Sequence, residues 1–231
     1  MEKALRCMDQ SVKIYVSSVD DGEVSVAGGA MDVAARRHQR NILEKQHKSL
    51  NDTVLVRVSY DETDFCKYIV VDKSYSGDGM IRESTFVADG VITDVSGVVL
   101  FLPLADCIGA VLYDKKHHAI MLSHLGRHSL EQQGAIHSVE AICRAYYTQP
   151  KNLQAYFSPS VGKGTYPLRQ FGGKSLREVA YEQLLCAGVD DIIVDERDTA
   201  TSKELFSHSQ FLKGRQPTSG RHAILCYLES L

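Results

Sequence analysis

LADCIGAVLYDKKHHAIMLSHLGRHS, residues 104–129, holds two apolar runs, Ile108–Tyr113 and Ala119–Ser123, on either side of the polar segment Asp114–His118. Short apolar runs bounded by a polar turn read as two strands of an antiparallel hairpin. Cys107 precedes the first strand and His124 follows the second, so both fall at the open end of the hairpin and become neighbours. A thiol beside an imidazole makes half of a metal site or a nucleophile–base pair. Taken singly, each is also an ordinary core residue.

Outward from the hairpin the chain alternates strands and helices. Upstream, ADGVITD and the turn Val95-Ser96-Gly97 lead into VVLFLPLADC, apolar enough for a central strand that Pro103 should end. Ser11–Ser18 and Glu23–Ala27 flank Asp20-Asp21-Gly22, a hairpin signal. Ala34–Lys48 reads as a basic helix, Val54–Val58 and Tyr68–Asp72 as strands. The excursion YSGDGMIREST, with Gly77 and Gly79 as hinges, is either an active-site lid or an inert insertion. Downstream, Leu130–Tyr147 has helical apolar spacing with Ser129 as N-cap, which would aim its first amides at the Cys–His end and favour an anion or a thiolate there. Leu153–Ser158, Asp191–Asp195 and His222–Leu228 read as strands, and Ser175–Ala187 as a helix stopped by Gly188. The loop SPSVGKGTY lacks the GK[ST] and GxGxxG patterns of phosphate loops. With no repeat and no linker, residues 1–231 read as one α/β (α+β) domain.

Composition narrows the class. The 231 residues are 44% hydrophobic and 24% charged, the range of a soluble globular protein. A net charge of −3 argues against nucleic-acid and anionic-membrane partners. MEKALRCMDQ has no apolar signal region and no membrane-length apolar run follows, so a cytoplasmic location is expected. Cys7, Cys66, Cys107, Cys143, Cys186 and Cys226 are scattered without a CxxC pair, unlike a disulfide framework. Cys143, Cys186 and Cys226 lie in apolar patterns and read as small buried hydrophobes.

Ala88-Asp89-Gly90-Val91-Ile92-Thr93, Gly97, Ala105-Asp106-Cys107, Val111-Leu112-Tyr113-Asp114 and His124-Leu125-Gly126 together resemble the laccase-domain (YfiH-type) family. That family was once called multicopper polyphenol oxidases, and members are described as zinc-dependent purine nucleoside phosphorylases. Ser158-Pro159-Ser160-Val161-Gly162, Phe206-Ser207-His208 and Ser219-Gly220-Arg221-His222-Ala223-Ile224 are similar to its later landmarks. The resemblance implies a mixed sheet layered with helices, related to cytotoxic-necrotizing-factor catalytic domains. It also implies a pocket, often at a homodimer contact, that holds one Zn²⁺ on His, Cys and His.

Cys107 and His124 match two of those ligands, but no histidine lies between His47 and His117 to match the first. By alignment Asp61 stands in its place, with Asp64 and Cys66 next in line, since zinc accepts carboxylate oxygen. The family's HAGWRG is HLGRHS here, which brings in Arg127 and His128. The implied activity is zinc-dependent phosphorolysis of adenosine or inosine, with adenosine deamination beside it. Cys107, His124, Asp106 and His128 are its catalytic candidates; Arg127, Arg221 and Ser160 would bind substrate. Two rivals stand: a metal-free hydrolase or deamidase using Cys107 as nucleophile and His124 as base, and a non-catalytic nucleoside-binding protein. Copper chemistry would need many more clustered histidines.

Overall fold

The hairpin forms, and it lies at the centre of a sheet. The computed structural model describes residues 8–25, 33–60 and 63–229. In chain order the elements are β1 (Val12–Val16), α1 (Val33–Lys45), β2 (Thr53–Leu55), β3 (Tyr68–Val70), β4 (Gly90–Thr93) and β5 (Val99–Leu104). The hairpin strands β6 (Ile108–Asp114) and β7 (Ala119–Leu125) follow, then α2 (Arg127–Glu131) and α3 (Gly134–Tyr146). The chain continues through β8 (Leu153–Phe157), α4 (Leu176–Cys186), β9 (Asp191–Val194), α5 (His208–Leu212) and β10 (His222–Leu228). Two mixed sheets result, one of four strands in the order β1-β10-β5-β2 and one of six in the order β3-β4-β7-β6-β8-β9.

Strand alternation explains how the layers stack. In β5, Leu100, Leu102 and Leu104 face the second sheet, meeting Val111 and Tyr113 of β6 and Ile120 and Leu122 of β7. Val99 and Phe101 point the other way, onto Ile42 and Leu43 of α1. Ala110 and Leu112 of β6 and Met121 of β7 face Val139 and Ile142 of α3 and Val179 and Leu184 of α4. The central strands are therefore covered on both faces, which is why they read as continuous apolar runs. The sheets meet closely at Gly109, where any Cβ would collide with Ile224 Cγ2. Among the described residues no helix is long and apolar enough to cross a membrane.

Several local expectations give way to tertiary structure. Asp20-Asp21-Gly22 is not a hairpin: Val19–Asp21 forms a 3-10 turn, and β1 pairs with β10, Val12 opposite Leu228. Residues 23–25 form no strand, and residues 26–27 lie outside the described set. The turn is held instead by the Asp21 carboxylate, which accepts from Ser18 N at 2.8 Å and Tyr15 Oη at 3.1 Å. Pro103 does not end β5, which runs to Leu104. Phe101 is the last β5 residue in register with β2, so Pro103 sits where that side of the strand is an edge, and edges tolerate proline.

The excursion after β3 is a packed turn and not a lid: Met80 is fully buried, and Asp78 accepts from Thr85 Oγ1 at 2.7 Å. The single helix expected over Leu130–Tyr147 is broken in two. Helix α2 starts at Arg127 with Gly126 as N-cap, and Gln133 (φ 61°) reverses the chain into α3. That bend brings Gly134 against Ser129, whose carbonyl oxygen would lie 2.8 Å from any Cβ there. Ser129 is thus inside the first helix, its Oγ accepting from Gly126 N at 3.1 Å. Cys226 is buried as expected, Cys143 is half-buried, and Cys186 is exposed because it ends α4.

Candidate functional site

Cys107 and His124 arrive at one place through the pairing of β6 with β7. Gly109 lies opposite His124 and Ile108 opposite Leu125. Side chains alternate faces along a strand, so His124 points to the side of Ile120 and Leu122, and Cys107 to the side of Val111 and Tyr113, which is the same face. His124 lies within β7 and not after it, yet it still reaches the open end. Both close on Gly126: a Cβ built there would stand 3.1 Å from Cys107 Sγ, 3.0 Å from His124 Cε1 and 3.5 Å from His124 Nε2.

Asp106 sets the direction of Cys107. It holds φ at +75°, a conformation that asparagine and aspartate tolerate better than most residues. Three hydrogen bonds keep it there. Its carbonyl accepts from Val161 N at 2.9 Å, and its carboxylate accepts from Thr199 Oγ1 at 2.7 Å and Ser209 N at 2.6 Å. Both carboxylate oxygens are thus engaged from behind the site, one by the Thr199 turn and one by the first turn of α5, and Asp106 positions the turn into β6.

A cleft of about 410 Å³ opens in front of the pair, within the range of small-molecule sites. Besides Cys107, His124 and Asp106, its walls include Arg127, His128 and Arg221. Ser160 does not line it. The Val161 N bond to Asp106 turns Val161 toward the cleft, and the preceding residue faces away, fully buried, its Oγ unpartnered among the described residues. Asp61 lies outside the described residues. Of its neighbours, Tyr60 and Phe65 line the cleft, whereas Asp64 accepts from Cys66 N and the Cys66 thiol points at Gln132 O.

Other lining groups escape sequence reasoning. Phe65 stacks on His128 with ring centroids 4.9 Å apart and 20° between planes, and His128 Nε2 lies 3.1 Å from Arg127 Nη2. Tyr60 Oη reaches His124 Nε2 at 3.4 Å, ring edge to ring face. Tyr166, His208 and Asp89 complete the walls named here. Asp89 and His208 stand inside the motifs ADGVIT and FSH, but an Asp at a strand edge and a His at a helix start carry no signal of their own.

Burial governs the charge states. It pushes the Cys107 thiol up to about 12, with Asp106 adding to the shift and Arg221 opposing it. It lowers His124 to about 4. In the protein alone both are uncharged at neutral pH. Asp89 is raised to about 6 by burial, against the hydrogen bond its Oδ2 accepts from Lys67 N at 3.1 Å.

A catalytic zinc takes three protein donors and leaves one place open. Cys107 sulfur and His124 Nε2 supply two, and a phenol faces Nε2 where a third would stand. Among the described residues no three His, Cys, Asp or Glu side chains converge on one point. The described donors stop one short of a zinc site and far short of a multi-copper centre.

A family model described as multi-copper polyphenol oxidoreductase laccase matches residues 32–175, more than half of the chain and all of the hairpin. The chain belongs to this laccase family. Two curated relatives of this laccase-domain chain are known by activity. Adenosine deaminase RL5, from an unknown prokaryotic organism, is 24% identical over 67% of the chain. A purine nucleoside phosphorylase of Corynebacterium glutamicum is 27% identical over 74% of the chain and 74% of its own length. The laccase-domain chain spans 55% of the length of RL5. The crystal structure of YlmD from Geobacillus stearothermophilus superposes with a TM-score of 0.84 at 20% identity, covering 96% of this chain and 93% of that one, which shows the shared fold.

Proposed function

We propose that this chain cleaves purine nucleosides with phosphate in the cleft beside Cys107 and His124. The observation that carries the reading is the make-up of that cleft. Flat faces (the Phe65–His128 stack, Tyr60 and Tyr166) and two guanidinium groups (Arg127 and Arg221) surround a half-buried thiol and a buried imidazole, both uncharged. Aromatic faces suit a purine, and a guanidinium fork suits phosphate. In phosphorolysis a phosphate oxygen bonds to ribose C1′ as the bond from C1′ to the base breaks. The electron pair of that bond goes to the purine, which leaves with a proton. Asp89, its proton held up to about pH 6, is suited to supply that proton. The names of the two curated relatives support the substrate class.

Nucleophilic cysteine chemistry is less well supported, because the proton stays on the Cys107 sulfur at neutral pH and a thiol attacks poorly. The test is product analysis. With adenosine or inosine, free base and ribose 1-phosphate should form only when phosphate is present. Arg221→Ala should raise the KM for phosphate by about tenfold, the equivalent of losing one charge-assisted contact. Ammonia release from adenosine without a phosphate requirement would assign deamination instead. Binding without turnover would leave a nucleoside-binding protein.

A further inference from the structure

We propose that the Tyr60 phenol occupies the third corner of the Cys107–His124 site, which the chain therefore keeps without a tightly held metal ion. Three observations meet here. First, Tyr60 Oη lies 3.4 Å from His124 Nε2, with its ring perpendicular to the imidazole and 6.0 Å away. A neutral imidazole has one nitrogen lone pair to give, and a phenol that donates to Nε2 uses the pair a metal would need.

Second, the two carboxylates that line the cleft among the described residues are committed elsewhere. Asp89 Oδ2 accepts from Lys67 N, and both oxygens of Asp106 accept from Thr199 and Ser209. Neither is aimed at Cys107 and His124 as a third ligand. Third, the described part of the segment from which the third donor would come presents a hydroxyl, that of Tyr60. Zinc sites in proteins are built from thiolate, imidazole and carboxylate, and a neutral phenol is outside that set. Tyr60 is 65% exposed, so its hydroxyl reaches from the mouth of the cleft to the buried ring. In place of metal-bound water, the phenol is then the group that joins His124 to solvent.

The inference concerns the same cleft as the proposed phosphorolysis but is read by metal content, so either can fail while the other stands. Zinc would be measured by elemental analysis after exhaustive dialysis, and its affinity by competition with a chromophoric chelator. Wild-type protein should retain well under one equivalent. Tyr60→His supplies the missing imidazole and should tighten zinc binding by about 100-fold, the upper end of what even a partner of a metal ligand is worth. Tyr60→Phe frees the Nε2 lone pair but adds no donor, so it should bind zinc no more weakly than wild type and still far more weakly than Tyr60→His. Thermal melting would show that each variant is folded. One tightly held equivalent in the wild type overturns the proposal without recourse to any variant. So does loss of zinc affinity in Tyr60→Phe, or in Asp61→Ala, since either would identify a third ligand.

Discussion

Replacing Gly126 with alanine tests whether the closeness of Cys107 and His124 is what the cleft works with. Gly126 has φ −102°, open to any L-residue, so the change adds a methyl group without forcing the backbone. That methyl would stand 3.0 Å from His124 Cε1 and 3.1 Å from Cys107 Sγ. Relaxed contacts of this kind lie at about 3.5–4.0 Å. The imidazole and the thiol must each retreat by about half an ångström, in different directions. A displacement of about 1 Å costs on the order of a hundredfold in rate, so half of that should cost about tenfold in kcat/KM, or about 1.4 kcal/mol. Stability should change little. Alanine is a poorer N-cap than glycine by about 0.5–1 kcal/mol, and it recovers a similar amount by restricting the unfolded chain. The assay is phosphate-dependent release of base alongside a thermal melt: turnover should fall about tenfold with Tm within about 3 °C of wild type. Wild-type kcat/KM in the folded variant would refute the argument, because it would mean that the space between the two side chains is not where reaction occurs.

Two carboxylates of the cleft should behave differently from each other. Asp89 binds its proton more tightly folded than unfolded, about 6 against an ordinary 3.8, so its stabilising contribution is full below pH 4 and lost as pH rises through 6. Asp89→Asn keeps an oxygen for Lys67 N and should be more stable than wild type above pH 6 by on the order of 2 kcal/mol, the gap closing near pH 4 in urea titrations. Equal stability at pH 7.5 would show that burial does not strain this carboxylate. Asp106→Asn tolerates the positive φ but loses one of two acceptors, and should cost about 1–3 kcal/mol, seen as a lower urea midpoint. A variant of normal stability with kcat reduced by orders of magnitude would instead make Asp106 a proton carrier.

Continuous apolar runs in residues 108–113, 119–123 and 222–228 are enough to announce their strands, because a strand covered on both faces buries every residue. The N-cap Ser175 with Glu178 three residues on, and Gly188 beyond, bound α4 as clearly, since the capping box is closed within four residues. Cys107 and His124 are legible as a pair for a similar reason: one turn and a strict alternation settle which way each points. The false hairpin at Asp20–Gly22 shows where such local logic ends. β1 finds its partner in β10, more than 200 residues away, where Val12 joins Ile224 and Leu228 in the core between the sheets. Most of the cleft is of that kind. Tyr60 and Phe65 come from the β2–β3 connection, Asp89 from the connection before β4, Tyr166 from the connection after β8 and His208 from the start of α5, and Ser160 turns away because Val161 is bonded to Asp106. A sequence carries the type of each side chain but not its direction where no periodic element sets it. Only the packing of the loops against the two sheets decides which of these groups face His124, and that a phenol is the one within reach of its nitrogen.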